Sequence, residues 1–278
     1  MNVPSTQTLQ GNRKGDLLYY TFPAFDAIPF VRHGFSTRLG GVSIGKFASM
    51  NLSFTRGDEE EAVLENFRRF CAAIHVKPQD VVVSAQTHTV NIYNATAADR
   101  GRGITRPREY TDIDGLITDE PNVVLCTQYA DCVPLFFVDP VKKVVATSHA
   151  GWRGTLGGIG RLTVERMCSD YGCLPENIRV GIGPSIGRCC FEVDDPVYTP
   201  FAQSPLFDEG CYTNDGNGKY HIDLWEYNRR SVLSAGVKAC NITVTDLCTR
   251  CHPALLWSHR YCGKDRGSLA AFISIAED

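Results

Sequence analysis

The sequence predicts an α+β protein built on mixed β-sheets. Two observations carry this expectation. Short β-branched runs recur along all 278 residues, and the helical stretches between them do not keep the strict strand–helix–strand rhythm of a doubly wound parallel sheet. No repeat, low-complexity tract or Pro/Ser/Gly linker divides the chain, so one domain is expected.

The elements follow in order. Asp58 is a candidate cap for a helix running to about residue 74, with Glu59, Glu60 and Glu61 near its positive end. Residues 81–84 are β-branched and read as a strand that leads into Gln86, Thr87 and His88. Residues 123–127, 133–138 and 144–147 are three further apolar strands. A helix from Thr155 to about residue 170 ends before Gly172, a natural C-terminal stop. Residues 178–182 form a strand, 223–235 a helix closed by Gly236, 242–247 a strand, and 269–275 the last strand. Residues 99–107 and 208–219 are rich in turn formers and read as surface loops.

Composition narrows the function. The chain carries 28 basic and 31 acidic residues, for a net charge of −3, and has no basic run longer than two. That charge excludes the electrostatic footprint of a nucleic-acid binder. No apolar stretch is long enough to cross a bilayer. The N-terminus lacks a basic region followed by an apolar one, so cytoplasmic location is the expectation. The 12 cysteines are then expected as reduced thiols, several of them buried.

The most informative segment runs from 132 to 149. Two apolar strands flank Asp139, Pro140, Val141 and Lys142, a good turn sequence. A two-residue turn sets Asp139 opposite Lys142 and Cys132 opposite His149. Cross-strand neighbours have Cβ atoms about 4.5–5.5 Å apart, which suits two ligands of one ion. His88, just past another strand, is the third candidate. Three mixed His/Cys ligands leave zinc one open position, the arrangement of catalytic sites, and such an ion lowers the pKa of bound water to about 7. Each residue alone is better explained as a buried thiol or a hydrogen-bonded histidine. Nearby, residues 149–154 follow a strand and open a helix, so backbone N–H groups and Arg153 are candidates for phosphate. Residues 33–41 form a second glycine-containing segment with Ser36 and Arg38, which also reads as a surface turn. Asp131 is either a general acid/base or a turn residue.

Together, HGFSTRLGGVS (33–43), AQTH (85–88), DGLIT (114–118), ADCVPL (130–135), HAGWRGT (149–155) and IGPSIGRCCFEV (182–193) resemble the YfiH-type laccase-domain family. That family is variously described as polyphenol oxidase, purine nucleoside phosphorylase and peptidoglycan editing factor-like. The resemblance implies a single-domain layered sandwich of mixed β-sheets flanked by helices (YfiH/CNF1-like), spanning 1–278 with 1–30 as an N-terminal extension and first strand. It implies Zn²⁺, rather than copper, on His88, Cys132 and His149. It also implies phosphorolysis of adenosine, inosine and methylthioadenosine, and deamination of adenosine. Purine nucleoside and phosphate are thus the expected partners, with Ser36, Arg38 and Arg153 as substrate and phosphate contacts and Asp131 as proton shuttle. The C-terminus departs from the family pattern at 256–268, where Ser258 and Arg260 are the candidate equivalents.

Other readings compete with this one. A multicopper cluster needs roughly ten histidines as copper ligands; this chain has seven, and no two are separated by one residue. Cys248, Cys251 and His252 match the pattern for c-type haem attachment, which requires export. A second zinc site from Cys189, Cys190, Cys248 and Cys251 is possible, but adjacent cysteines are poor ligand spacing, and core thiols are the favoured expectation. A cysteine hydrolase using Cys132, His149 and Asp131 is the more serious alternative, together with a metal-dependent polyphenol oxidoreductase.

Overall fold

Two six-stranded sheets stack face to face, each covered on its outer side by helices. The structure is a computed structural model and describes residues 6–277. Residues 1–5 of the N-terminal stretch read above, and residue 278, lie outside it. The strands in chain order are β1 (Gln10–Lys14), β2 (Leu17–Thr21), β3 (Val31–Ser36), β4 (Val81–Val83), β5 (Ile92–Asn94), β6 (Gly115–Thr118), β7 (Val124–Tyr129), β8 (Val133–Asp139), β9 (Val144–Ala150) and β10 (Arg179–Ile182). They continue with β11 (Glu192–Asp194), β12 (Tyr212–Gly216), β13 (Lys219–Ile222), β14 (Ile242–Val244) and β15 (Leu269–Ile275). The helices are α1 (Pro23–Asp26), α2 (Glu60–Ala73), α3 (Trp152–Leu156), α4 (Ile159–Tyr171), α5 (Asp195–Ala202), α6 (Leu224–Ser234) and α7 (His259–Cys262).

One sheet has the order β1-β2-β3-β15-β7-β4, the other β14-β10-β8-β9-β6-β5, and a small antiparallel sheet is ordered β11-β13-β12. Both large sheets are mixed: β4/β7, β10/β14 and β5/β6 pair parallel and the other pairs antiparallel. The predicted α+β class with mixed sheets is therefore what the chain adopts. Side-chain alternation creates the layers. In β15, Leu269, Ala271 and Ile273 face the central core, where they meet Phe136, Val138 and Val145 of the second sheet. Ala270 and Phe272 point the other way, into the cluster that α2 closes with Val63, Phe67 and Phe70. On the far side, Leu135, Phe137 and Ala146 pack beneath Ile159, Val164 and Met167 of α4. Strands buried on both faces read as continuous apolar runs, which is how they were legible.

Several expectations need correction. Asp58 does not cap α2. Its carboxylate accepts from Ser43 Oγ at 2.6 Å and Asn51 Nδ2 at 3.0 Å, and so holds the 43–51 loop. The helix expected from Thr155 is two: α3 and α4 are broken at Gly157 and Gly158, and Gly158 sits at φ 75°. Its predicted stop at Gly172 (φ 66°) stands. Asp223 caps α6 by accepting from the Glu226 amide at 2.9 Å. Residues 208–219 are not simply a loop, because they contain β12.

The β8–β9 hairpin also differs from expectation. Asp139 Oδ1 accepts from the amides of Val141 (2.8 Å) and Lys142 (3.0 Å), and Lys143 turns left-handed at φ 52°. The turn is four residues long. Asp139 therefore pairs with Val144, and Pro134, not Cys132, lies opposite His149. Because the register moves by two residues, Cys132 stays on the same face as His149, now at a diagonal. Among the described residues no helix is long and apolar enough to cross a membrane.

His33 in β3 is buried among Phe22, Phe25 and Phe136. Its Nε2 accepts from the Phe22 amide at 2.8 Å, and Asp26 stands 3.9 Å from Nδ1. Burial lowers its pKa to about 3. The unfolded chain thus takes up this proton first, so the contribution is complete above pH 6.5 and is lost as pH falls below it. Urea titrations at pH 7 and pH 5 should show the unmodified chain losing about 2 kcal/mol more than His33→Gln, at about 1.4 kcal/mol per pH unit. Equal losses in the two proteins would contradict the assignment.

Candidate metal centre and active-site cleft

Three chain segments meet at one end of the stacked sheets. The first follows β4, where Ala85 bridges Ile113 and delivers Thr87, His88 and Thr89. The second precedes β8 and carries Asp131 and Cys132. The third is the end of β9, which supplies His149. The ligand atoms of His88, Cys132 and His149 all lie within 4.8 Å of one another. His88 Nε2 is 3.7 Å from Cys132 Sγ, and the two imidazoles meet edge to face at 4.9 Å. The three predicted ligands are thus brought together.

Asp114, at the head of β6, organises them. Its carboxylate is fully buried. Oδ2 accepts from the amides of Thr87 (3.0 Å) and Thr89 (3.0 Å) and from Thr89 Oγ1 (3.0 Å), while Oδ1 accepts from the His88 amide at 3.1 Å. Three successive N–H groups can converge on one anion because His88 adopts a left-handed conformation, φ 68°, which makes a backbone nest. The same Oδ1 accepts from His149 Nδ1 at 2.7 Å, and the Asp114 carbonyl accepts from the His149 amide at 2.7 Å. This bond fixes the imidazole tautomer and turns Nε2 toward Cys132. Burial alone would raise the Asp114 pKa, but the His149 and Thr87 hydrogen bonds outweigh it and bring it to about 2.

Opposed effects also act on the other two groups. Burial pushes the Cys132 thiol up, yet His149 and His88 beside it pull the pKa down to about 6. Burial pushes His149 down, while Cys132 and Asp114 raise it to about 9. The environment stabilises a thiolate next to imidazole, the donor set that zinc accepts. Gly151 permits the approach: a Cβ there would lie 2.6 Å from His88 Cδ2 and 3.2 Å from Cys132 Sγ.

The three side chains open onto a cleft of about 980 Å³, at the upper end of the range for small-molecule sites. Tyr110, Trp152, Ile186, Phe191 and Leu224 give it apolar surface; Arg56, Arg108, Arg260, Lys264 and Arg266 give it positive charge. Arg266 is 8% exposed. Burial, then the nearby Arg56 charge, lowers its pKa to about 10. Its Nη1 donates to the Gly267 carbonyl at 2.9 Å and its Nε to His259 Nδ1 at 3.5 Å. Asp131 and Cys132 partly offset this charge, and the excess of cations on the cleft lining suits an anion.

The remaining site candidates are placed differently. Ser36 is fully buried, and its Oγ accepts from the Ala270 amide at 2.9 Å. Arg38 stacks 3.7 Å from the Trp257 ring centroid and donates to the carbonyls of Pro253 and Ala48. Neither lines the cleft. Arg153 is exposed and lies over Trp152 rather than in the cleft. Asp131 does line it, at φ 86°, but its carboxylate is engaged: Oδ1 accepts from Thr249 Oγ1 at 2.5 Å and Oδ2 from the Arg260 amide at 2.6 Å. Ser258 caps α7 by accepting from the Tyr261 amide at 3.2 Å. Sequence reasoning missed Asp114, Arg56 and Arg266. For Asp114 the signal was present, an acid immediately before the apolar run 115–118.

Comparison with known proteins places this geometry in context. Residues 32–276 match the family model described as multi-copper polyphenol oxidoreductase laccase. The chain is 37% identical over 248 residues to a purine nucleoside phosphorylase, YlmD, of Bacillus subtilis, covering 88% of each. It is 34% identical over 238 residues to the adenosine deaminase RL5 of an unknown prokaryotic organism, covering 84% of this chain and 90% of that protein. The crystal structure of the hypothetical protein YfiH from Bacillus licheniformis superposes with a TM-score of 0.89 at 34% identity, over 95% of this chain and 98% of that one.

Asp114→Asn removes the charge that orients His149 and fills the nest. If the three side chains hold zinc, affinity for it should fall by about 10–100-fold in a chelator competition titration, the usual cost of losing such a carboxylate. Unchanged affinity would show that Asp114 serves the backbone alone.

Proposed function

The chain belongs to the multi-copper polyphenol oxidoreductase laccase family, and from that premise we propose that it is a zinc-dependent purine nucleoside phosphorylase that also deaminates adenosine. The observation that carries the reading is the cleft itself: a mixed imidazole/thiol cluster, several arginines including Arg56 and Arg266, and aromatic surface all line it. Relatives named for these two activities, at 37% and 34% identity, support it. Cytoplasmic location is part of the proposal, supported by twelve cysteines of which none is in a disulfide.

The donor set fits zinc. Two imidazole nitrogens and one thiolate, with Asp114 behind His149, match the three-ligand sites that keep a position for substrate or solvent. When bound, such an ion supplies Lewis-acid polarisation of an oxygen in the cleft. The chain's own residues do the rest. Asp114 holds His149 in one tautomer, and His88 and His149 hold Cys132 as a thiolate. Arg56 and Arg266 bind phosphate. Tyr110, Phe191 and Leu224 flank the purine. Asp131 acts as a positioning residue, holding the Arg260 segment against the cleft. In phosphorolysis a phosphate oxygen forms a bond to C1′ as the C1′–N9 bond breaks and the purine takes a proton. In deamination a water oxygen adds at C6 and ammonia leaves. Despite the family's description, seven histidines in the whole chain argue against a multicopper cluster.

A second reading is favoured by one observation. Cys132, His149 and Asp114 are ordered as nucleophile, base and orienting carboxylate, so a cysteine hydrolase has its triad, with Asp114 rather than Asp131 as the third member. Activity against metal content separates the two. Incubation with adenosine, with and without phosphate, should release adenine only with phosphate and inosine in both cases. Cys132→Ala should abolish both products and lower bound zinc. Full phosphorolysis by that variant without metal would contradict the assignment.

Arg266→Ala should raise the KM for phosphate by about 10–150-fold, the loss expected for one charge-assisted contact worth about 1.5–3 kcal/mol. Deamination, which uses no phosphate, should change far less. Equal losses in both reactions would remove Arg266 from the phosphate site.

A further inference from the structure

A second cluster of metal-type ligands lies at the edge of the cleft, built from side chains that the nucleoside chemistry does not use. Cys189 and Cys190 are adjacent in the segment after β10; Cys248 and Cys251 lie one turn apart after β14. These are 62 and 61 positions apart across the closest pairs, yet the fold brings all four Sγ atoms within 4.8 Å of one another. Cys189 Sγ is 3.6 Å and Cys190 Sγ 3.4 Å from Cys251 Sγ. Zinc–sulfur bonds of about 2.3 Å in a tetrahedron place sulfurs about 3.8 Å apart. The observed spacings are those of ligands sharing an ion. None of the four is in a disulfide.

Two of the four sulfurs have donors suited to negative charge. The Gly187 amide donates to Cys248 Sγ at 3.3 Å, and Arg250 Nη1 donates to Cys190 Sγ at 3.5 Å. An N–H donor and a guanidinium both offset thiolate charge, as outer-shell partners of metal sites do. The backbone is held in register by a bridge between Ser185 and Cys248 and by the Thr249 amide donating to Ser185 O at 2.9 Å. The expectation of core thiols applies only in part: Cys190 and Cys248 are buried, but Cys189 and Cys251 are exposed. An apolar core gives no reason for two exposed thiols to converge on two buried ones.

We propose that Cys189, Cys190, Cys248 and Cys251 bind a structural zinc ion that staples the 185–191 segment to the 248–252 segment. Four thiolates select a soft, tetrahedral cation, and four protein ligands close the coordination sphere, so this ion has no open position for substrate. Its effect on the cleft is indirect. The first segment carries Ile186 and Phe191, which line the cleft, and the second carries Thr249, whose hydroxyl holds Asp131 beside Cys132. The staple fixes one wall of the cleft relative to the cluster at its floor. The inference stands apart from the nucleoside reading, since it concerns a different ligand set.

Metal content and X-ray absorption test it on chain purified under reducing conditions. The full protein should carry two zinc ions. His88→Ala should keep one, and its zinc-edge spectrum should show four sulfurs at about 2.3 Å. Cys248→Ser combined with Cys251→Ser should lose that ion, keep the one at His88, Cys132 and His149, and unfold at lower temperature. Should the double variant prove insoluble, the His88→Ala spectrum decides alone. A His88→Ala protein without zinc, a shell containing nitrogen or oxygen, iron in place of zinc, or a disulfide among the four cysteines would each overturn the proposal. Loss of nucleoside activity with this spectrum intact would instead count only against the catalytic reading.

Discussion

One buried carboxylate determines whether there is a site at all. Asp114 is fully enclosed, and burying an anion is costly unless its lone pairs are filled. Here three consecutive amides, one hydroxyl and one imidazole fill them. Each donor comes from a segment that must be placed for the cluster to form. The 87–89 loop cannot wrap the carboxylate without a left-handed residue at its centre, and that residue is His88. A side chain borne on such a backbone is directed by the nest rather than by its own rotamer preference. His149 is oriented by the same oxygen. Satisfying the charge of Asp114 and aiming two imidazoles at Cys132 are therefore one event, and the left-handed φ of His88 is its local cost.

The sheets supply the frame on which this happens. Asp114 precedes β6, His149 ends β9 and Cys132 precedes β8, and these three strands are neighbours or next neighbours in one sheet. His88 arrives from the other sheet, through the loop after β4. The cluster thus stands where the two sheets meet at one end, and the cleft is the space between their loops. Arg56 and Arg266 come from opposite ends of the chain to the cleft wall. Nothing but the layered packing makes them neighbours.

What the sequence showed, and what it hid, follows from this division. Strands buried on both faces are continuous apolar runs, so β7, β8, β9 and β15 were legible without a homologue. The hairpin turn is longer than its sequence suggests because Asp139 engages two amides of its own turn, lengthening it to four residues. The ligand pair survived the error because side chains on a strand repeat every two residues. A slip of one would have turned Cys132 away. The doubled glycine at 157–158 marks the break between α3 and α4, which helical periodicity alone does not reveal. Ser36 and Arg38 were chosen for residue type, yet they serve the Ala270 amide and the Trp257 ring. The cation couple and the four-cysteine cluster involve segments far apart in sequence, and no local pattern encodes their meeting.

Anomalous diffraction at the zinc edge, on crystals of the protein as purified, tests the central claim most directly. A peak about 2.0–2.1 Å from one nitrogen each of His88 and His149 and about 2.3 Å from Cys132 Sγ is the predicted result, with the Asp114 carboxylate on the far side of His149. A map with no density there, and with Cys132 and His149 paired directly, would contradict it.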